Sequence, residues 1–407
     1  MEQQQIVIVG GCGRVGLPLG LMLASRGSAR VTLLDIDSTR IEAVNSGRMP
    51  FMEQGAEELL STVIGKSLQA TADSACLRTA DAVITIVGTP VDKHLNPTVS
   101  ELYKCIADLL EEMQDGSMLV LRSTVYPGVT KLVYDRVQAL RRKIHVAFCP
   151  ERIAEGRALE ELATLPQIVA AFDPKAQARA RELFLTFAPS VIDLTPPQAE
   201  LAKLFTNSWR YLNFAISNQF YILAESYGLD FYRIYDAVTR DYPRMRSFAR
   251  PGFAAGPCLL KDTLQLAAFS GNSFFMGHAA MLINEGLPNF IVNQLRPLEL
   301  AKRTVAILGM AFKADSDDKR DSLSYKLRKL LEVETREVLC TDPYVQDSSL
   351  VPLEEALGRA DIIILGAPHS VYRQLSFPPD KIVIDVWKYW ADFSNAAQEK
   401  KQQPTSR

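Results

Sequence analysis

The sequence predicts an α/β protein with two Rossmann-like parallel-sheet domains joined by a long central helix. Three observations carry that expectation. Short, nearly all-apolar β-branched runs that end in small or polar residues alternate with helical stretches, first between Ile6 and Phe148 and again between Arg303 and Asp385. A glycine cluster, Gly11-Cys12-Gly13-Arg14-Val15-Gly16, follows the first run and opens a helical apolar pattern. The thirty residues from Gln198 to Tyr227 contain neither Gly nor Pro and repeat apolar residues at helical spacing.

In chain order, Ile6 to Val9 reads as a strand, the glycines as a tight turn, and Leu17 to Leu23 as a helix. This context lets a dinucleotide pyrophosphate approach the backbone at a helix N-terminus. A second strand, Val31 to Leu34, runs into Asp35, about 20 residues past the last glycine, where a carboxylate can take the adenosine ribose hydroxyls. That acid favours NAD over NADP, whose 2′-phosphate it would repel; otherwise Asp35 is an ordinary turn residue at a strand end. Strands at Ala82 to Val87 and Met118 to Leu121 lead into Gly88-Thr89-Pro90 and Ser123-Thr124-Val125-Tyr126-Pro127-Gly128. Ligands of open α/β sheets lie beyond the carboxyl ends of strands, so Thr89, Ser123 and Thr124 fall near the cofactor or its substrate, or else cap the following helices. Ile144 to Phe148 leads into Pro150-Glu151-Arg152-Ile153-Ala154-Glu155, with two carboxylates four apart that serve as base and orienter or as solvated surface.

The helix from Gln198 places Lys203 and Asn207 one turn apart on one face. Beyond it, Gly256-Pro257-Cys258-Leu259-Leu260-Lys261-Asp262 packs a thiol, an amine and a carboxylate into five residues. A helix beginning just before Cys258 would align it with Asp262 and favour an anionic sulfur. The bland alternative is a small buried apolar cysteine. After a helical region through Leu287, strands at Arg303 to Leu308, Glu337 to Cys340, Asp361 to Leu365 and Lys381 to Asp385 repeat the first pattern. There Gly309-Met310-Ala311-Phe312-Lys313 replaces the glycine fingerprint, so no second dinucleotide is expected. Lys313 and Arg320 instead offer cations to a phosphorylated ligand, or belong to a solvated charged loop. The domains expected are 1–195 (NAD-binding), 196–298 (central, helical, with the long linking helix and the cysteine), 299–394 (the second Rossmann-like half) and a polar tail, 395–407.

A chain of 407 residues with 47% hydrophobic and 23% charged residues and net charge -2 reads as a globular protein with no basic excess for nucleic acid or anionic membrane. No apolar run reaches membrane-spanning length, and the N-terminus lacks a leader pattern, so a cytoplasmic location is expected. The six cysteines show no paired or metal-ligand spacing; free thiols and no metal are expected.

The set Gly11-Cys12-Gly13-Arg14-Val15-Gly16, Val87-Gly88-Thr89-Pro90, Ser123 to Gly128, Pro150-Glu151, Glu200 to Leu204 with Asn207, Cys258 with Lys261-Asp262, and Phe312-Lys313 with Asp317-Asp318-Lys319-Arg320 resembles the UDP-glucose/GDP-mannose dehydrogenase family over essentially the whole chain. The resemblance implies oxidation of a primary alcohol at sugar C6 to a uronic acid with two NAD in succession, in a homodimer built on the central helix. It implies Asp262 and Lys203, with an ordered water, as base and alkoxide stabiliser, and Cys258 as the nucleophile that traps the aldehyde as a thiohemiacetal and then a thioester. Glu151 with Thr124 would activate the hydrolytic water, and Lys203 and Asn207 would hold the oxyanion. The cofactor-binding set it implies adds Glu155 and Lys261 to the glycine turn, Asp35, Thr89, Ser123 and Thr124. Its substrate-binding set is Glu151, Arg152, Lys203, Asn207, Arg250, Phe253, Gly256, Cys258, Phe312, Lys313 and Arg320. UDP-glucose is the first substrate expected, and Arg152 after Pro150-Glu151 favours the alternative, a UDP-N-acetylhexosamine. The family usually has two glycines and a small residue ahead of the cysteine, where this chain has Ala255, Gly256 and Pro257. Asp385-Val386-Trp387-Lys388 matches a segment that reaches the partner's sugar site in some members. A single-hydride hydroxyacid dehydrogenase and a non-catalytic nucleotide-sugar sensor are the rival classes; two NADH per sugar separates the first reading from both.

Overall fold

The structure is a computed structural model, and it describes residues 3–26, 29–88, 99–254 and 256–390. Thr89, Pro90, Ala255 and the tail 395–407 lie outside the described residues. The chain divides into two compact units: one runs to Thr206 and takes in Ala268–Gly271, the other comprises Asn207–Ala267 and continues from Asn272.

The first unit is an eight-stranded sheet of β1 (Gln4–Val9), β2 (Ala29–Leu34), β3 (Leu68–Thr71), β4 (Ala82–Thr85), β5 (Met118–Leu121), β6 (His145–Phe148), β7 (Gln167–Ala171) and β8 (Val191–Leu194). The order is β3-β2-β1-β4-β5-β6-β7-β8, parallel except where β6 meets β7 antiparallel. Strand alternation explains why the runs are apolar on every residue. Ile6 and Ile8 enter one core with Leu17, Leu21 and Leu33, while Val7 and Val9 enter another with Val83, Leu119 and Leu121. Strand order reverses at β1, with β2 on one side and β4 on the other, and such a switch point opens a crevice at the strands' carboxyl ends. Three strands, β3, β7 and β8, were not expected; each has only four or five residues, and β3 and β8 carry polar residues at sheet positions.

The second unit contains a four-stranded parallel sheet of β9 (Thr304–Leu308), β10 (Glu337–Thr341), β11 (Ile362–Leu365) and β12 (Ile382–Ile384), in the order β10-β9-β11-β12. Val305 and Ile307 face one core, Ala306 and Leu308 the other, so the same two-sided burial recurs. The helix expected to stop at Leu287 continues from Phe275 to Leu295 through Pro288. Proline removes one ladder hydrogen bond, but Leu287, Pro288, Ile291, Val292 and Leu295 are all buried there, and packing outweighs that loss.

One helix, Pro196–Ser226, links the two sheets. At 1.5 Å per residue its 31 residues span about 46 Å. Pro196 and Pro197 stand in its first turn, where a helix needs no backbone donor. It ends in a Schellman-type cap: Gly228 takes φ 69° and Leu229 N donates back to Ala224 O at 2.9 Å.

Candidate active site

At the end of β1, Gly10 N and Gly11 N both donate to Leu34 O, at 2.9 and 3.2 Å, pinning the turn to β2. A Cβ on Gly11 would stand 2.6 Å from Ile8 O and 2.8 Å from Leu33 Cα, and one on Gly16 would stand 2.6 Å from Gly10 O. Those positions require glycine for packing. Gly13 differs, because its Cβ would meet only Gly10 O, at 3.3 Å, which leaves the outer side of the turn open beside the N-terminus of the helix Gly16–Arg26. A pyrophosphate fits that cradle. Asp35, just past β2, accepts from Cys12 N at 2.9 Å and Asp37 N at 3.1 Å, which fixes its carboxylate at the same crevice. The residues therefore fit the expected dinucleotide, whose nicotinamide supplies the hydride acceptor. Arg14 lies 5.0 Å over the Phe51 ring and 3.9 Å from the Glu155 carboxylate.

Beyond β5, Ser123 Oγ donates to Thr85 O at 3.4 Å, and Thr124 is half-buried beside it. The turn that follows is held by a residue given no role by the sequence reading. Glu200, 1% exposed in the second turn of the linking helix, accepts from Gly128 N at 2.7 Å and Thr130 N at 2.9 Å. It caps the helix Val129–Ala139 from outside, a place where a carboxylate also meets the positive end of the helix dipole.

Glu151 is buried, not solvated surface. Its Oε1 accepts from Arg152 N at 2.7 Å and Ile153 N at 3.0 Å, and its Oε2 accepts from Arg122 Nη2. Arg122 also went unnoticed in the sequence, where it is one cation closing an apolar strand. The Arg152 guanidinium donates to Pro166 O, and burial pulls its pKa down.

On the linking helix Lys203 and Asn207 are both buried, at 9% and 4% exposure. Asn207 Nδ2 donates to Asp262 Oδ2 at 2.6 Å. Asp262 is fully buried, and its Oδ1 stands 3.2 Å from Lys261 Nζ. The helix carrying it, Leu259–Phe269, starts one residue after Cys258 rather than before it. Asp262 N donates to Cys258 O at 2.9 Å, so Cys258 occupies the position immediately ahead of the first turn. Its exposure is the informative fact: Cys12, Cys149 and Cys340 are buried, Cys76 and Cys105 half-buried, and Cys258 alone of the six is exposed. Burial pushes the Cys12, Cys149 and Cys340 thiols up to about 12 and raises Cys76 and Cys105 as well, making those five poor nucleophiles.

Two residues ahead, Gly256 takes φ 98°, and a Cβ there would stand 2.5 Å from the Phe312 ring. Gly256 N donates to Asp321 O at 3.3 Å. The segment entering Cys258 is thus seated on the 312–321 loop, and glycine at 256 is needed both for its backbone and for ring contact. Within that loop Lys313 Nζ lies 5.8 Å over Phe312, and Arg320 is paired with buried Asp318, Nη2 to Oδ2 at 2.6 Å. Phe253 packs in the core of the second unit, while Arg250 is exposed, 6.0 Å over Tyr235. Trp387 lies against Gly252 of its own chain: a Cβ on that glycine would come within 2.1 Å of the indole.

Residues 4–188 match the NAD binding domain of the UDP-glucose/GDP-mannose dehydrogenase family, 197–285 its central domain and 306–392 its UDP binding domain. A UDP-N-acetyl-D-mannosamine dehydrogenase of Pyrococcus horikoshii is 31% identical over 400 residues, covering 93% of this chain and 94% of that protein. The solved structure of the UDP-D-ManNAc dehydrogenase from Pyrococcus horikoshii superposes with a TM-score of 0.85 at 29% identity, covering 92% of this chain and 91% of that one. A UDP-glucose dehydrogenase from Pyrobaculum islandicum gives the same TM-score, 0.85, at 26% identity, with 95% and 94% covered.

Proposed function

The chain belongs to the UDP-glucose/GDP-mannose dehydrogenase family and is an NAD-dependent nucleotide-sugar 6-dehydrogenase, and from that premise we propose that it oxidises UDP-N-acetyl-D-mannosamine to the corresponding uronic acid. The 31% identical relative, together with two further UDP-N-acetyl-D-mannosamine dehydrogenases at 28% and 30%, supports this sugar over UDP-glucose, the first expectation. UDP-glucose is the second reading, carried by the Pyrobaculum islandicum structure.

The reaction consumes the alcohol, two NAD+ and one water and yields the carboxylate, two NADH and three protons. Asp262, held by Asn207 and flanked by Lys261, takes the hydroxyl proton as the first hydride leaves, and Lys203 stabilises the developing alkoxide. The Cys258 sulfur adds to the aldehyde carbon, so the second hydride departs from a tetrahedral thiohemiacetal and leaves a thioester. Water, oriented by Glu151 with Thr124, adds to the acyl carbon; Lys203 and Asn207 hold the oxyanion while the C–S bond breaks. Asp35, Ser123, Thr124 and the glycine turn hold the cofactor, with Glu155 and Lys261 beside it. Lys313 and Arg320 meet the diphosphate, and Arg152, Arg250, Phe253, Gly256 and Phe312 belong to the substrate's surroundings.

The observation that carries the chemistry is the exposure of Cys258 just ahead of a helix whose first turn holds a fully buried Asp262, hydrogen-bonded by the Asn207 amide. NADH release measured with UDP-N-acetylmannosamine, UDP-N-acetylglucosamine, UDP-glucose and GDP-mannose tests it. The expected result is two NADH per UDP-N-acetylmannosamine, and for Cys258→Ala no uronate. One NADH per sugar, or uronate from the alanine variant at the native rate, would remove the reading.

We further propose a homodimer formed along the linking helix. Trp209, Ile216, Phe220 and Leu223 are exposed at spacings that set them on one stripe of it, the pattern of a helix awaiting a partner face. Monomers in equilibrium sedimentation at micromolar concentration would reject this. Among the described residues no helix is long and apolar enough to cross a membrane.

A further inference from the structure

We infer that Arg122 is a positioning residue for the hydrolytic half of the reaction, acting through Glu151. The inference rests on the reading that Glu151 orients water for thioester hydrolysis. The Arg122 side chain is entirely buried, and its guanidinium is held at both terminal nitrogens and on one face: Nη1 donates to Cys149 O at 3.1 Å, Nη2 to Gln167 Oε1 at 3.0 Å, and the Phe184 ring lies 4.8 Å from Cζ. Nη2 also reaches Glu151 Oε2. A buried ion pair is a poor stabiliser compared with apolar side chains of the same volume, so fold stability does not by itself account for a cation at this place.

Its effect on Glu151 can be counted. A carboxylate offers about four lone-pair positions. The backbone N–H groups of Arg152 and Ile153 fill Oε1, and Arg122 takes one position on Oε2. One position on Oε2 is left for a water, and the other three contacts fix where it points. Without Arg122 the backbone still holds Oε1, but the Oε2 end of the carboxylate loses the contact that directs it. In the step concerned, a water oxygen bonds to the acyl carbon and the C–S bond breaks, with its electron pair staying on sulfur. One water proton returns to the thiolate and the other passes to solvent as the acid ionises. The two hydride transfers precede this step and do not need the oriented water.

The test is a rapid-mixing experiment on the full-length protein with NAD+ and UDP-N-acetylmannosamine. Arg122→Gln is expected to keep the initial burst of two NADH per site, while turnover after the burst falls on the order of 100-fold, the loss that follows misplacing a reacting group by about 1 Å. The acyl group should accumulate on Cys258, visible as added mass on its peptide after acid quench. Arg122→Lys should recover part of the post-burst rate, and Arg122→Gln in a Glu151→Gln background should cause no further slowing. A burst that shrinks in step with turnover marks a structural role only and overturns the inference. So does a native post-burst rate, or additional slowing in the Glu151→Gln background. If Arg122→Gln does not fold, Arg122→Lys decides: a post-burst rate slowed about tenfold with the burst intact supports the inference, and a native rate rejects it. Native turnover in Glu151→Gln alone would instead reject the role given to Glu151, which separates the two failures.

Discussion

Strands β1 and β9 each run into a glycine with positive φ, Gly10 at 75° and Gly309 at 94°, pressed against the backbone just past the neighbouring strand. A Cβ on Gly10 would stand 2.7 Å from Ile86 O, and one on Gly309 would stand 2.6 Å from Ala367 N and O. Each adjacent strand, β2 or β10, then supplies an acid, Asp35 or Asp342. From there the halves diverge. In the first, Gly11, Gly13 and Gly16 keep the turn thin and a helix starts at once, leaving backbone donors for a pyrophosphate. In the second, Met310 and Ala311 follow, the helix waits until Leu323, and Asp342 itself accepts from Met310 N at 2.6 Å and Ala311 N at 2.9 Å. His369 Nε2 closes the arrangement 3.0 Å from the same oxygen. Asp342 thus occupies two backbone donors of its own turn where Asp35 takes one, Cys12 N, a physical difference between the half that matches the family's NAD binding domain and the half that matches its UDP binding domain.

The contrast can be broken at its shared point first. Gly309→Val forces a β-branched residue into positive φ and drives its side chain into Ala367, so the second unit should lose at least about 3 kcal/mol in urea unfolding followed by circular dichroism. NAD affinity, measured by calorimetry, should stay native; a drop in NAD affinity would show that the two halves do not divide the work as described.

A smaller effect probes Asp342. Burial pushes the Asp342 carboxyl up, but the His369 hydrogen bond and charge and the Tyr344 and Val345 N–H donors outweigh it, leaving a pKa of about 2 against an ordinary 3.8. The folded value is the lower one, so this carboxylate stabilises fully above about pH 4, and its contribution is lost as pH falls through about 2. Asp342→Asn should therefore cost on the order of 2 kcal/mol at pH 7 and flatten the acid-induced loss of stability between those limits. An unchanged acid profile would refute the account.

Much of this was legible because burial on both faces writes itself into a strand as an unbroken apolar run, as in Val305 to Leu308 or Ile362 to Leu365. Strands such as Val191–Leu194 were not, since an edge strand with exposed Ile192 and Asp193 has no such mark. The glycine turn, Asp35, Asn207 and Asp262 announced themselves by spacing. Arg122, Gln167 and Glu200 did not, because their roles depend on partners 29 to 72 residues away that no local pattern records. Cys258 lay between: its neighbours were suggestive, but only its exposure separates it from the five other thiols.

All three tryptophans, Trp209, Trp387 and Trp390, fall in the second unit. Trp390 is buried with its indole N–H on Tyr372 O at 2.8 Å, Trp387 is folded against Gly252, and Trp209 is 58% exposed on the linking helix. The tryptophan emission of this protein, excited at the red edge where tyrosine does not absorb, is therefore a one-sided optical signal. It reports loosening of the half that carries Cys258 and Asp342, it is silent to melting confined to the cofactor half, and its red, solvent-exposed component comes from the one indole that association along the helix would cover.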